Sequence, residues 1–237
     1  MKFLVLQHKN IEPPARLADA LSHADHDIDF CHVEQMPVPE SLSGYHGLIV
    51  MGGPQSANDE LPYIRNELEL LRLAIAEDFP VLGICLGAQL LAKAGQAHIT
   101  CSPVWELGWY PVFPTPASGG DPLFSTLPDA GLQIIQWHGE TFSLPPGAQL
   151  LAHHPNVPNQ AFRLGSCQYG LQFHAEVDES VIERWIGAGD DERRHLGPEG
   201  IREIRDNMTR IPPMHAFCDA MVKAWLILCR TRAVPVR

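Results

Sequence analysis

Long apolar runs are missing from this sequence, basic residues are scarce, and the cysteines stand apart from one another; each absence removes a class of function. No stretch approaches the ~20 apolar residues of a membrane-spanning helix. The opening Phe3-Leu-Val-Leu6 run is too short for the core of a secretory signal, so the cytoplasm is the expected compartment. Lys and Arg number 17 against 28 Asp and Glu, a net charge of -11. No basic stripe exists to track phosphates, which argues against a nucleic-acid partner. The six cysteines, Cys31, Cys85, Cys101, Cys167, Cys218 and Cys229, form neither a C-x-x-C pair nor the close spacings of a disulfide scaffold, and read as reduced thiols. The ATP-cradling pattern G-x-x-x-x-G-K-[ST] is absent, as are internal repeats.

What is present is 237 residues, 45% hydrophobic and 19% charged, a composition that folds. The length suffices for one large domain over residues 1–237. Short apolar runs at 2–7, 47–51 and 80–84 read as buried strands, and 28–33 alternates as a further strand. Between them lie helical stretches at Pro14–His23 and 60–77, the second with Leu61, Ile64, Leu68, Leu71 and Ile75 along one face. A further helix is expected over Leu86–Ala94. Strands alternating with helices predict an α/β fold: a flavodoxin-like, doubly wound, mainly parallel sheet with helices on both faces. Strand-like runs at 99–112, 133–136, 149–152, 160–163 and 168–173, separated by Pro and Gly turns, predict a partly antiparallel extension. From about residue 177 a helical tail follows, with loop signals at 187–194 and 197–200. Its segment Met214–Leu228 has the apolar spacing to pack on the sheet or cover a partner surface.

One cysteine is set apart by its surroundings. Gly83-Ile-Cys85-Leu-Gly87 places it between glycines where a strand turns into a helix, the pattern of a nucleophile elbow with sulfur as the attacking atom. The glycines remove Cβ atoms from a crowded turn, and the positive end of the following helix favours the thiolate. Such a site needs an imidazole. In Gln172-Phe-His174-Ala-Glu176 the period of two puts His174 and Glu176 on one side of the chain, where the carboxylate can orient the ring. A zinc deaminase reading of the same H-x-E fails for want of P-C-x-x-C. His153-His154 alternate across a strand and read as surface or loop residues. No metal and no cofactor are expected. Gly52-Gly-Pro54 closes the third strand at the carboxyl edge where a site gathers. The backbone N–H groups of Gly53 and Leu86 are therefore candidates for an oxyanion hole.

Taken together, Met51-Gly-Gly-Pro54, Gly83-Ile-Cys-Leu-Gly-Ala-Gln89, Trp137-His-Gly139 and Gln172-Phe-His-Ala-Glu176 resemble class I glutamine amidotransferases in order and spacing. The likeness is strongest to stand-alone proteins similar to the amidotransferase domain of GMP synthetase. It implies a Cys85-His174-Glu176 triad that hydrolyses the side-chain amide of glutamine through a γ-glutamyl thioester. It also implies that Gln89, Trp137 and Gly139 hold the substrate's amino-acid end. The family often has proline between the histidine and glutamate, where this chain has Ala175. A synthase acceptor site is missing, so a separate synthase subunit is the implied partner. A free-standing γ-glutamyl peptide or amide hydrolase uses the same triad and is the alternative. A non-catalytic binding or redox protein with Cys85 as an oxidisable thiol has no need of both His174 and Glu176.

Overall fold

The computed structural model describes residues 1–22 and 26–232; His23, the expected end of the first helix, lies outside them, as do residues 233–237. Nine strands form one sheet in the order β2-β1-β3-β4-β9-β8-β7-β5-β6. The parallel part comprises β1 (Lys2–Gln7), β2 (Asp27–His32), β3 (Gly47–Val50), β4 (Val81–Ile84) and β9 (Gln168–Leu171). The antiparallel extension runs from β9 through β8 (Ala161–Leu164), β7 (Gln149–His153), β5 (Ile99–Pro114) and β6 (Leu132–Phe142). β6 reaches six residues beyond the expected Gln136, because β5 pairs with it almost throughout. That extra length carries Trp137, His138 and Gly139 to the site.

The central strands β3 and β4 are buried at every position because both faces are covered, so they read as runs, whereas the edge strand β2 carries Asp27, Asp29 and His32 among its apolar residues. Alternate residues feed two cores. Phe3, Val5, Ile49 and Met51 face one cluster; Leu4, Leu6, Leu48 and Val50 face the other. The second cluster is closed by α2 (Pro62–Ala76) and α3 (Leu86–Ala94). The first is closed by α1 (Ala15–Ser22), α4 (Glu179–Ala188) and α6 (Ile211–Arg232).

Of the two uses foreseen for 214–228, packing on the sheet is the one observed. Trp225 on α6 is fully buried, its ring centroid 5.5 Å from that of Phe3. A Cβ on Gly47 would come within 2.7 Å of the same indole, so the glycine makes room for it. The loop signals at 187–194 and 197–200 hold only at Gly189 and Gly197. Apart from a break at Gly189, these residues belong to α4 and to α5 (Asp190–Asp206). Three acidic residues in its first turn favour α5 through the helix dipole. Gly197, at φ 58° and ψ 178°, is non-helical, so the span is two helices meeting at a kink, and Pro198 opens the second.

Candidate active site

Cys85 follows β4 and sits at the N-cap of α3 with φ 51° and ψ -107°, a left-handed backbone that non-glycine residues adopt only under constraint. The constraint is visible. Its N–H donates to Leu171 O at 2.7 Å, and its carbonyl accepts from Gln89 N at 3.0 Å. The flanking glycines are sterically required: a Cβ on Gly83 would lie 2.7 Å from the carbonyl carbon of Gly87, and one on Gly87 would strike the carbonyl of Val50. The thiol is buried on the wall of a cavity of about 580 Å³.

His174 lies just past β9, fixed by its N–H to Ile135 O at 2.9 Å, which forms an isolated bridge to β6. Its Nδ1 stands 2.8 Å from Glu176 Oε1, and the two side chains are almost fully buried. Burial opposes a charge on the ring, but the Glu176 carboxylate and the neighbouring Cys85 outweigh it, raising the imidazole well above its usual range. Trp185 of α4 presses its edge against this ring, with centroids 4.7 Å apart.

The other expected residues gather around this group. Gly53 and Gln89 line the cavity, as do Trp137 and Gly139. Leu86 does not line it with its side chain. Its N–H is the first of α3 and has no intrahelical partner. No bond to Gly53 N–H exists among the described residues. Gln89 spends its amide nitrogen inside the protein, on Glu140 O at 3.1 Å and Gln172 Oε1 at 3.3 Å, so only its oxygen remains for a ligand. Gly139 is a glycine because Trp105 lies across it, 2.7 Å from where a Cβ would stand.

Several residues here were not foreseen. Gln172 lies inside a recognised motif, yet its role appears only in space: it donates from Nε2 to Cys85 Sγ at 3.7 Å. Glu12 lines the cavity beside Gly52 and His174. Desolvation pushes its carboxyl above the usual range, against the pull of His174 and His8. Glu192 of α5 joins it on that side, and His195 stacks on Trp105 at 4.2 Å. His154 corrects an expectation: it is buried, not at the surface, and its Nδ1 lies 2.6 Å from Glu106 Oε1. The other oxygen of Glu106 accepts from Gln160 and faces His138 Nε2 at 3.1 Å. His138 Nδ1 in turn meets Glu140 O at 3.0 Å, supporting the same carbonyl that Gln89 holds. Among the described residues no helix is long and apolar enough to cross a membrane.

Comparison with known proteins agrees with this geometry. The family model described as "Glutamine amidotransferase class-I" matches residues 15–184. The chain is 34% identical over 154 residues to the putative glutamine amidotransferase-like protein YfeJ of Salmonella typhimurium, covering 63% of this chain and 64% of that protein. It is 37% identical over 145 residues to a GMP synthase [glutamine-hydrolyzing] of Porphyromonas gingivalis, covering 60% of this chain and 27% of the synthase. The chain thus spans under two thirds of the first relative and about a quarter of the second. Among solved structures, a glutamine amido transferase from Methylobacillus flagellatus superposes with a TM-score of 0.87 at 30% identity, covering 95% of this chain and 94% of that one. A glutamine amidotransferase from Thermotoga maritima does so at 0.86 and 27%, covering 95% and 98%.

Proposed function

This chain belongs to the class-I glutamine amidotransferase family, and we propose that it hydrolyses the side-chain amide of glutamine with Cys85 as nucleophile, His174 as acid and base, and Glu176 as the group that orients His174. The observation that carries the reading is the junction at Cys85: a glycine-flanked thiol at positive φ lines one cavity with an imidazole whose Nδ1 is 2.8 Å from a buried carboxylate. Sulfur attacks the amide carbonyl, forming a C–S bond. His174 protonates the nitrogen as the C–N bond breaks, and ammonia leaves. Water then adds to the thioester while His174 takes its proton; the C–S bond breaks, releasing glutamate and restoring the thiolate. The N–H groups of Gly53 and Leu86 receive the oxyanion.

The lining suits a substrate bearing an ammonium group. It contains Glu12, Glu140 and Glu192 and neither Lys nor Arg. The free oxygen of Gln89, beside Glu140, is placed for the α-ammonium of glutamine, with Trp137 and Gly139 completing that end. In this reading the ammonia is delivered to a separate synthase subunit. A second reading, hydrolysis of larger γ-glutamyl amides without a partner, is favoured by one feature. The cavity continues past His174 to Glu12, Glu192 and Trp185, leaving room and negative charge for a substituent on the departing nitrogen.

The test is glutamate release by the purified chain from glutamine and from γ-glutamyl dipeptides and amines, each with and without Cys85→Ala. Cys85-dependent release from glutamine supports the first reading. Fast cleavage of peptides or amines with glutamine left intact would favour the second. Absence of Cys85-dependent release from every substrate, alone or with a co-purifying synthase, would sink both.

A further inference from the structure

Another histidine-carboxylate pair stands behind the Gly52–Gly53 turn that borders the cavity. His8 follows directly on β1, and the parallel register that sets Leu6 beside Val50 brings it alongside Gly52. It is buried, and its Nδ1 lies 3.0 Å from Gly52 O. Its Nε2 lies 3.1 and 3.2 Å from the two oxygens of Glu67, a fully buried residue of α2. A backbone carbonyl can only accept a hydrogen bond. Nδ1 must therefore carry a hydrogen, and a second proton lies between Nε2 and Glu67, whichever of the two holds it. Burial works against charge on His8, but the bond and charge of Glu67, with Glu12 and the Gly52 carbonyl, raise its imidazole above the usual range.

This pair acts on a peptide unit that otherwise has little to hold it. Gly52 and Gly53 are consecutive glycines, the residues with the fewest barriers to rotation. The peptide between them is planar, with C=O and N–H on opposite sides. Drawing the Gly52 carbonyl back toward His8 turns the Gly53 N–H the other way, toward the cavity that Cys85 lines. A side chain would not fit at Gly53, where a Cβ would lie 2.6 Å from Gln55 Oε1, 2.8 Å from Leu86 and 2.9 Å from His8, so the position is a glycine. A bond from a protonated ring also polarises the peptide and makes its N–H a stronger donor.

We infer that His8 and Glu67 are positioning residues for the oxyanion hole, locking the Gly52–Gly53 peptide with its N–H aimed at the charge that develops on the substrate's carbonyl oxygen. The inference rests on the hydrolytic reading of Cys85 given above. It assigns His8 to the transition state and not to substrate binding. His138, which meets the carbonyl of Glu140 in the same fashion, supports the binding end and supplies the contrast.

The experiment uses the full chain with glutamine as substrate and compares His8→Leu, His8→Asn and the double variant His8→Leu/Glu67→Leu. The double variant removes both buried polar partners at once and avoids stranding a lone carboxylate. Alongside the kinetics, iodoacetamide labelling of Cys85 is followed by peptide mass spectrometry, since alkylation needs the thiolate but forms no oxyanion. We expect kcat to fall by roughly ten- to a hundredfold in His8→Leu and in the double variant. KM and the Cys85 alkylation rate should stay within about twofold of the parent. His8→Asn, whose amide nitrogen can stand in for Nδ1, should recover much of kcat. His138→Leu should mainly raise KM. An unchanged kcat in the leucine variants, a parallel fall in kcat and alkylation, or an asparagine variant no better than leucine would each overturn the role. A parent chain that labels at Cys85 yet releases no glutamate from glutamine or from γ-glutamyl dipeptides and amines, alone or with a co-purifying synthase, would overturn the hydrolytic reading and this role with it.

Discussion

The cavity has two walls built by different means. On the sheet side, Cys85 and Gly53 present sulfur and backbone, held by glycines at 52, 53, 83 and 87 where any Cβ would meet neighbouring atoms. On the tail side, α4 and α5 present side chains: Trp185 against His174, Glu192 near Glu12, and His195 stacked on Trp105. A wall made of backbone leaves few degrees of freedom and fixes where charge and sulfur stand. A wall made of side chains can change its chemistry by substitution without moving the chain. In the function proposed above, the sheet side serves the reaction and the tail side the choice of leaving group.

That division can be broken most violently at the sulfur. Cys85→Ala should reduce turnover by a thousandfold or more, on the order of what loss of a nucleophile costs elsewhere. Glu176→Gln should keep roughly ten- to a hundredfold more activity than that, measured as glutamate release. If both fall equally, Glu176 does more than orient His174. Next in size, Gly87→Ala would push a Cβ into the Val50 carbonyl. It should cost roughly 1–3 kcal/mol of stability, read as a lower urea midpoint at constant m. A neutral result would mean that the elbow is less tightly built than its contacts suggest.

On the tail side the expected effects are smaller and of another kind. Trp105→Ala removes one ring of the stack with His195, an interaction of ~0.5–1.5 kcal/mol, so KM should rise by roughly two- to tenfold with kcat held. A drop in kcat instead would erase the distinction between the walls. Smallest is Asp178→Ala, at the N-cap of α4, where the carboxylate accepts from Val181 N at 2.9 Å. Loss of this exposed cap should cost about 0.5 kcal/mol at neutral pH. Burial pushes the Asp178 carboxyl up, but the Ser180 hydroxyl and the N–H groups of Val181 and Ser180 outweigh it and hold it below its usual value. Its contribution is therefore present above the unfolded value of ~3.9 and lost as pH falls through the lower folded one. Unfolding of variant and parent should converge in acid.

The sheet side was largely legible from the sequence and the tail side was not, for a physical reason. Strand runs and the glycines around Cys85 are local patterns. α3 was expected at Leu86–Ala94 and is found there, because a buried strand, a sharp turn and an apolar helix each declare themselves within a few residues. α5 hides behind Gly, Asp and Pro, residues that punctuate loops but also serve at a helix start and a kink. The pairs His8 with Glu67 and His138 with Glu106 join residues 59 and 32 positions apart, so only the topology brings them together. One clue was available. Glu67 falls three residues after Ile64 and one before Leu68, on the buried face of α2, where a carboxylate needs a partner.

Three imidazoles around the cavity each lean on a buried carboxylate: His174 on Glu176, His8 on Glu67 and His138 on Glu106. Mobile ions screen charges that water reaches, over a length of ~10 Å at 0.1 M salt, and screen enclosed pairs far less. The surface of this chain, with its net charge of -11, will respond to the ionic strength of its surroundings. The pairs around the cavity are enclosed, and their alignment should persist from dilute buffer to concentrated brine.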